Sequence, residues 1–293
     1  MPELPEVEII VRQLNKTIKG EVINDLWTDS PNNLKGNFKL ERVRSLIKNR
    51  KILKTERKGK NILIFLDKGW VLWIHLKLTG HLLVGFYEYE NNHWQPKAKG
   101  AFLDPQNRFL HWVFSLKSGK KLVLSDMRKF AKIVFLTTED LKQAKDLNDL
   151  GIDPFSLEFN QKKLEEIFSQ TEGEIKKVLM DQRSISGIGN IYANEILWEA
   201  KINPFKKVKE LEKEETKLLF QMVRKILTLA IKYQGTSAKD ETYRNLYGEK
   251  GSYAKFLKVY QKEGELCSRC GILIKRIKNQ GRSTFYCPKC QRL

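Results

Sequence analysis

Asn61-Ile-Leu-Ile-Phe-Leu66, then Asp67-Lys68-Gly69, then Trp70-Val-Leu-Trp-Ile-His-Leu76: this stretch decides the fold class of the first half of the 293-residue chain. Two runs of apolar, β-branched and aromatic residues flank a polar turn ending in glycine, the pattern of two buried antiparallel strands. Working outward, Phe109 to Leu116, Lys121 to Ser125 and Ala131 to Leu136 repeat the pattern, with Lys117-Ser118-Gly119 as punctuation. Short strands so closely spaced predict an antiparallel β-sandwich. Upstream, Val7, Ile10, Val11, Leu14 and Ile18 recur at helical spacing between Pro5 and Gly20, which predicts a helix that Pro5 opens. The polar stretch from Tyr87 to Asn107 lacks a period and reads as a long surface loop. Beyond residue 137 the period becomes helical, with helices expected over 139–147, 161–168, 174–181, 189–200 and 209–233. The fold class is therefore α+β. Residues 234–265 carry Gly235, Gly248, Gly251 and Gly264 and read as a mobile loop followed by a linker.

With 54 Lys and Arg against 35 Asp and Glu, the chain carries a formal charge of +19, beyond what solubility requires, and this points to a polyanionic partner. A membrane surface is the weaker choice. No run approaches the ~18 uninterrupted apolar residues of a membrane span, and Glu3, Glu6 and Glu8 stand where a signal peptide needs a basic start. A soluble, intracellular protein is expected.

All four cysteines fall in the last 27 residues, as Cys267-Ser-Arg-Cys270 and Cys287-Pro-Lys-Cys290. Each pair can present two sulfurs to one tetrahedral zinc, with a hairpin around Asn279-Gln280-Gly281 bringing the pairs together. Two disulfides are the alternative. Four thiolates leave no open position for water, so the expected Zn2+ is single and structural, and Arg282 beside it suits a phosphate.

At the other end, Met1-Pro2-Glu3-Leu4-Pro5-Glu6 becomes chemically pointed once Met1 is removed. An α-amino group with a pKa of about 7.7–8.0 keeps a neutral, nucleophilic fraction at neutral pH, unlike a lysine near 10.4. A secondary amine condensed with an aldehyde gives an iminium that is cationic without needing a proton. Glu3 and Glu6 stand ready to move protons. The plain alternative is that Pro2 only permits methionine removal and Pro5 only starts a helix.

Pro2-Glu-Leu-Pro-Glu6, Gly187-Ile-Gly-Asn190-Ile-Tyr-Ala193 and the finger's Gly281-Arg-Ser-Thr-Phe-Tyr-Cys287, in this order and spacing, closely resemble the bacterial formamidopyrimidine-DNA glycosylase family over nearly the whole chain. The resemblance implies a β-sandwich domain, a helix/two-turn/helix domain and a zinc finger, with DNA in a basic cleft. It implies a bifunctional enzyme of base excision repair, a DNA glycosylase and abasic-site lyase, acting as a monomer on double-stranded DNA containing oxidised purines or abasic sites. In such enzymes the damaged nucleotide is flipped from the stack. Pro2 would be the nucleophile at C1′, Glu3 would assist proton transfer at the sugar, and Glu6 would support. Lys60 and Asn190 match phosphate-contacting residues, and Arg282 the finger's arginine; a solvated lysine and a plain helix cap are the alternatives for the first two. Lys176 matches a lysine near the lesion, or else belongs to a basic helix face. Leu78, Arg128 and Phe130 match the side chains that fill the vacated space, although Leu78 and Phe130 taken alone read as core residues. A bacterial, cytoplasmic, nucleoid-associated location follows from the same likeness.

The chain departs from the family where Lys77-Leu78 replaces the usual Gly-Met, where Gln234-Gly-Thr-Ser237 opens the lesion-capping loop, and where Asp126-Met-Arg-Lys-Phe-Ala131 replaces Asp-Pro-Arg-Arg-Phe-Gly. Leucine still wedges, being branched but less adaptable than methionine. The competing readings are an enzyme resembling endonuclease VIII that removes oxidised pyrimidines, a damaged-DNA-binding protein without catalysis, and a zinc ribbon that binds RNA. The expected organisation is a catalytic sandwich over 1–137, a linker over 138–160, a helical DNA-binding domain over 161–265 with the capping loop at about 234–252, and the zinc finger over 266–293.

Overall fold

A computed structural model describes residues 1–238, 243–279 and 281–293, in two compact units: Met1–Asn148 with Tyr233–Ala254, and Asp149–Lys232 with Lys255–Leu293. The first unit opens with helix α1 (Leu4–Thr17), followed by β1 (Val22–Thr28), β2 (Leu34–Lys35), α2 (Leu40–Ile47), β3 (Arg50–Lys58), β4 (Asn61–Leu66), β5 (Trp70–His75) and β6 (His81–Gly85). A small hairpin, β7 (Tyr87–Glu90) and β8 (His93–Pro96), precedes β9 (Leu110–Leu116), β10 (Lys121–Ser125) and β11 (Lys132–Thr137). Two short helices, α3 (Thr138–Gln143) and α4 (Lys145–Asn148), close the unit where the sequence predicts one helix over 139–147 at the start of the linker region.

Nine strands join in the order β2-β11-β5-β4-β3-β1-β9-β10-β6. The two halves meet only through Val22 and Ile23 against Lys51 and Arg50. Folded about that corner, they form the expected sandwich. Alternate residues of the strands, such as Ile62, Ile64, Leu72, Ile74, Trp112, Phe114, Leu122 and Leu124, share one core with the α1 stripe Val7, Ile10, Val11 and Leu14. Each fully buried aliphatic side chain contributes about 1.5–3 kcal/mol.

The stretch from Tyr87 to Asn107 is more ordered than a surface loop. Glu90 pairs with His93 across a two-residue turn, Asn91-Asn92, whose φ angles of 50° and 63° suit a type I′ hairpin. The hairpin is held by rings: Trp94 and Tyr89 lie 6.0 and 5.7 Å from Trp27 of β1. The segment Tyr233–Ala254 also corrects the sequence reading, which placed it with the helices. It packs on the sandwich, with Leu246 in the common core, the Leu246 N–H donating to Gln13 Oε1 at 3.0 Å, and Arg244 paired to Asp104 at 2.9 Å. Residues 239–242 of the expected capping loop, and Gln280 of the expected finger turn, lie outside the described residues.

The second unit holds α5 (Gln161–Ser169), α6 (Ile175–Met180), α7 (Asn190–Glu199) and α8 (Lys213–Lys232), then the hairpin β12 (Lys275–Asn279) and β13 (Arg282–Tyr286). Helix α7 is buried from Ile191 to Trp198, so its polar side chains need partners. Glu195 takes the N–H groups of Lys258, Val259 and Tyr260 at 2.8, 3.0 and 2.8 Å. Burial raises its pKa against those three donors. The finger is docked rather than tethered: Arg269 stacks 3.9 Å from the Trp198 ring, and Gln291 donates to the Ile202 carbonyl at 2.9 Å. Among the described residues no helix is long and apolar enough to cross a membrane.

Within the first unit, His81 sits at the junction of β6 with the 243–250 segment. Its Nε2 lies 2.8 Å from Asn107 Oδ1, and Asn107 Nδ2 donates to the Gly248 carbonyl at 3.2 Å. Burial, with the Arg244 charge adding to it, lowers the His81 pKa from 6.5 to about 4, against the opposing pull of the Asn107 and Thr79 contacts and of Asp126. The unfolded chain therefore binds the proton first as pH falls from 6.5, and stability declines until about pH 4, by about 3 kcal/mol from this residue. Urea unfolding followed by tryptophan fluorescence at pH 7 and pH 4 should show that difference between wild type and His81→Gln. Equal pH dependence in the two proteins contradicts the assignment.

Candidate functional site

Pro2, Glu3 and Glu6 are all buried at the start of α1. Glu3 is the residue before the helix, with extended backbone (φ −101°, ψ −171°), and its side chain and that of Glu6 cap one another's backbone N–H groups in a capping box. The Glu3 N–H donates to Glu6 Oε2 at 2.9 Å. The other oxygen, Oε1, accepts the Thr236 N–H at 2.8 Å. One carboxylate thus binds the chain's beginning to a segment 230 residues away. Gly235 makes this approach possible: its φ is +79°, and an added Cβ would lie 3.0 Å from Glu6 Oε1 and 2.9 Å from the Tyr243 ring. Burial and the Glu6 charge push the Tyr243 phenol well above its usual pKa, so it stays protonated.

Lys60 follows Gly59 (φ +58°) in the turn between β3 and β4 and is 5% exposed. Next to it is a residue that sequence reasoning missed. His75, at the end of β5, pairs across the ladder with Asn61, and burial followed by the charges of Lys77 and Lys60 drives its pKa from 6.5 to about 3. The ring is neutral at any physiological pH, a hydrogen-bonding partner set among cations. Its signal, a cation fifteen residues upstream brought close by strand pairing, has no local signature in the sequence. Arg57, near the same turn, donates to Glu8 at 2.7 Å, and Arg12 does likewise at 2.7 Å. Burial alone would raise the Glu8 pKa, but the two guanidinium groups outweigh it and lower it.

Two loop tips carry the remaining expected residues of this unit. Leu78 is 42% exposed and Phe130 51% exposed, which removes the core reading of both. The Arg128 guanidinium lies 4.6 Å from the Phe130 ring centre, and Lys77 and Lys129 take left-handed backbone conformations at φ +56° and +55°.

In the second unit, Asn190 is the first residue of α7, after Gly189. Its carbonyl accepts from Asn194 Nδ2 at 2.5 Å, while Asn194 Oδ1 accepts the Phe285 N–H of the finger at 2.8 Å. Lys176 is not on a solvated basic face: it is 6% exposed, and Nζ donates to the Ser283 carbonyl at 2.9 Å and to Thr284 Oγ1 at 2.8 Å. Arg282 is exposed at the start of β13 and lines a cavity of about 210 Å3 with Lys176, Lys177, Glu174 and Phe205. The sulfurs of Cys267, Cys270, Cys287 and Cys290 all lie within 4.8 Å of one another. Zinc–sulfur bonds of about 2.3 Å in a tetrahedron place sulfurs roughly 3.8 Å apart, so the cluster fits one zinc.

Three family models match in the order of the structural parts: the formamidopyrimidine-DNA glycosylase N-terminal domain over residues 1–133, the H2TH domain of the same enzymes over 150–242, and the zinc finger found in FPG and IleRS over 264–293. The formamidopyrimidine-DNA glycosylase of Pelotomaculum thermopropionicum is 36% identical over 293 residues, covering all of both chains. Among solved structures, the Lactococcus lactis Fpg in complex with DNA containing an abasic site superposes with a TM-score of 0.86 at 30% identity, over 99% of this chain and 100% of that one. The same Lactococcus protein with DNA containing an oxidised pyrimidine gives 0.85 at 30% identity, over 100% of both.

Gly235→Ala is expected to cost about 1–3 kcal/mol, because both the positive φ and the contact with Glu6 oppose a methyl group. Urea unfolding measures this, and an unchanged midpoint contradicts it. Metal analysis should find one zinc per chain, and chelation should lower the melting temperature, with recovery on adding zinc but not magnesium.

Proposed function

The chain belongs to the formamidopyrimidine-DNA glycosylase family and is a DNA glycosylase of base excision repair, and from that premise we propose that Pro2 is its nucleophile and that oxidised purines and abasic sites in double-stranded DNA are its substrates. The observation that carries this reading is the buried Pro2-Glu3 start of α1, with Glu6 fixed between the Glu3 and Thr236 N–H groups. A nucleophile on a helix start has little freedom to lose before it attacks.

With Met1 removed, the Pro2 nitrogen attacks C1′ of the flipped nucleotide. The bond from C1′ to the base breaks, the base leaves with the electron pair and takes a proton, and Glu3 delivers a proton to O4′ as the sugar ring opens. The nitrogen loses its own proton, and an iminium remains. That cation draws electrons as the C2′ proton is removed and the 3′ phosphate departs, then as the C4′ proton is removed and the 5′ phosphate departs. The strand is left with a one-nucleotide gap. Glu6 orients the helix start in this scheme. Zinc supplies structure only, holding the hairpin from which Arg282 reaches a phosphate.

Lys60, with neutral His75 beside it, and Asn190 at the start of α7 bind further phosphates. Leu78, Arg128 and Phe130 fill the space left by the flipped nucleotide, the first and last as wedges and Arg128 as partner to the orphaned base. Lys176 acts through the finger: its bonds to Ser283 and Thr284 set the strand that presents Arg282. We place the reaction in the cytoplasm at the nucleoid, where such DNA lies, with the enzyme working as a monomer.

Borohydride trapping with a duplex carrying 8-oxoguanine opposite cytosine tests nucleophile and substrate together. A covalent adduct mapped to Pro2, its loss in Pro2→Gly, and a one-nucleotide gap product are expected. No adduct with this duplex or with a preformed abasic site, from protein whose Pro2 terminus is free, overturns the reading. Because the Lactococcus relative is named in complex with oxidised-pyrimidine DNA, a thymine glycol duplex belongs beside it, and preferential cleavage there overturns the purine assignment.

A further inference from the structure

Asp126 lies between the two exposed loop tips and is itself 1% exposed. Its Oδ1 accepts the hydroxyl of Thr79, the residue after Leu78, in a hydrogen bond. The same oxygen lies 3.4 Å from the Arg128 N–H, which also donates to Thr79 Oγ1 at 3.1 Å. Oδ2 accepts the Ala131 N–H at 2.8 Å, immediately after Phe130. The backbone of the second tip is closed by Lys129 N–H donating to the Asp126 carbonyl at 3.0 Å, and is held from beneath by Asn33, whose Nδ2 donates to the carbonyls of Lys129 and Ala131 at 2.8 and 2.7 Å. The first tip is closed by Gly80 N–H donating to the Leu76 carbonyl at 3.1 Å, and a side chain at Gly80 would strike that oxygen.

Each tip is stiff by itself, and the contact between them runs through one carboxylate and one hydroxyl. We propose that Asp126 and Thr79 are positioning residues that lock the tips into a single unit, so that Leu78 enters the stack together with Arg128 and Phe130. This rests on the reading that these three side chains fill the vacated space. A wedge that enters without the base partner leaves the orphaned base unpaired, and a partner without the wedge leaves the stack closed. Linking the tips makes the two events one, and the entropy of registering one tip against the other is spent on folding rather than on each encounter with damage. Neither residue touches the reacting atoms. Their effect belongs to the step that expels a stacked nucleotide, not to the elimination steps at Pro2.

Thr79→Val keeps the shape of the side chain and removes the hydroxyl; Thr79→Ser restores it. In single-turnover reactions Thr79→Val should excise 8-oxoguanine from a duplex about tenfold more slowly, the loss of one hydrogen bond to a charged group, and Thr79→Ser should stay within about twofold of wild type. Cleavage of a preformed abasic site, where there is no base to expel, should fall by less than about threefold. The fluorescence rise of a 2-aminopurine placed next to the lesion should slow by the same factor as excision. Asp126→Asn, which puts an amide where three donors converge, should reproduce the pattern at least as strongly. Wild-type excision by Thr79→Val, equal loss on lesion and abasic duplexes, or failure of serine to rescue would each overturn the proposal. A wild-type protein that neither excises nor traps would overturn the parent reading as well, before any variant is compared.

Discussion

The Glu6 carboxylate is the point on which the first unit turns. Its two oxygens accept backbone N–H groups from opposite ends of the chain, Glu3 at 2.9 Å and Thr236 at 2.8 Å, and it is 2% exposed. A buried charge of this kind is stable only while its hydrogen bonds persist, so position and partners enforce one another. The consequence reaches beyond the helix start. Thr236 follows Gly235, whose left-handed backbone admits no side chain against Glu6, and the 243–254 residues that continue this segment supply Tyr243 and Leu246 to the sandwich core. A segment that seemed to belong to the helices is thereby joined to the first unit at Glu6 as well as through Gln13, Asp104 and Asn107.

The second unit is organised around α7 in a comparable way. Its burial leaves three groups seeking partners or contacts, and each is answered from the chain that follows the helices: Glu195 by the 258–260 backbone, Asn194 by Phe285, and the Trp198 ring by Arg269. The zinc cluster fixes the hairpin internally, while α7 fixes where the hairpin stands relative to Asn190. Asn190 and the strand carrying Arg282 therefore share one rigid support. Lys176 adds to it from α6, which explains why a cation so far from solvent is tolerated: its charge is met by a carbonyl and a hydroxyl of β13.

Strands β4, β5 and β10 are legible because their side chains are apolar on both faces, and the zinc cysteines because their spacing is itself the geometry. β3 is not, since only Ile52 and Thr55 of Arg50–Lys58 are fully buried and most of the other positions are charged. The β7–β8 hairpin escapes notice for a different reason: Asn91-Asn92 is a turn signal, yet what holds the strands is Trp27, sixty residues upstream. The chemistry expected of Pro2, Glu3 and Glu6 is legible from their order together with the two downstream motifs, since the order alone equally suits methionine removal and a helix start. Glu6's tie to Thr236 and His75's neutrality are not, because both depend on partners that only the fold brings near. Lys176, expected near the lesion or else on a basic helix face, is buried with its ammonium bonded to Ser283 and Thr284, partners that no local pattern announces.

A common arrangement links the exposed residues in both units. Leu78 is followed by Thr79, Arg128 and Phe130 lie between anchors at Asp126 and Ala131, and Arg282 precedes Ser283 and Thr284, which are held by Lys176. In every case the residue that faces outward has a polar anchor one to four positions away in the chain, and the anchor is buried or hydrogen-bonded to a buried side chain. An exposed side chain on a loose loop would have to surrender backbone freedom, at about 1–2 kcal/mol per residue, each time DNA is bound. Here the backbone is ordered during folding, and only side-chain rotamers remain to be fixed. Burying polar groups costs stability unless they are satisfied, so the anchors must come as matched sets. That requirement accounts for polar residues such as Asp126, Asn33 and Asn194 lying within otherwise apolar surroundings, close to the positions proposed to meet DNA.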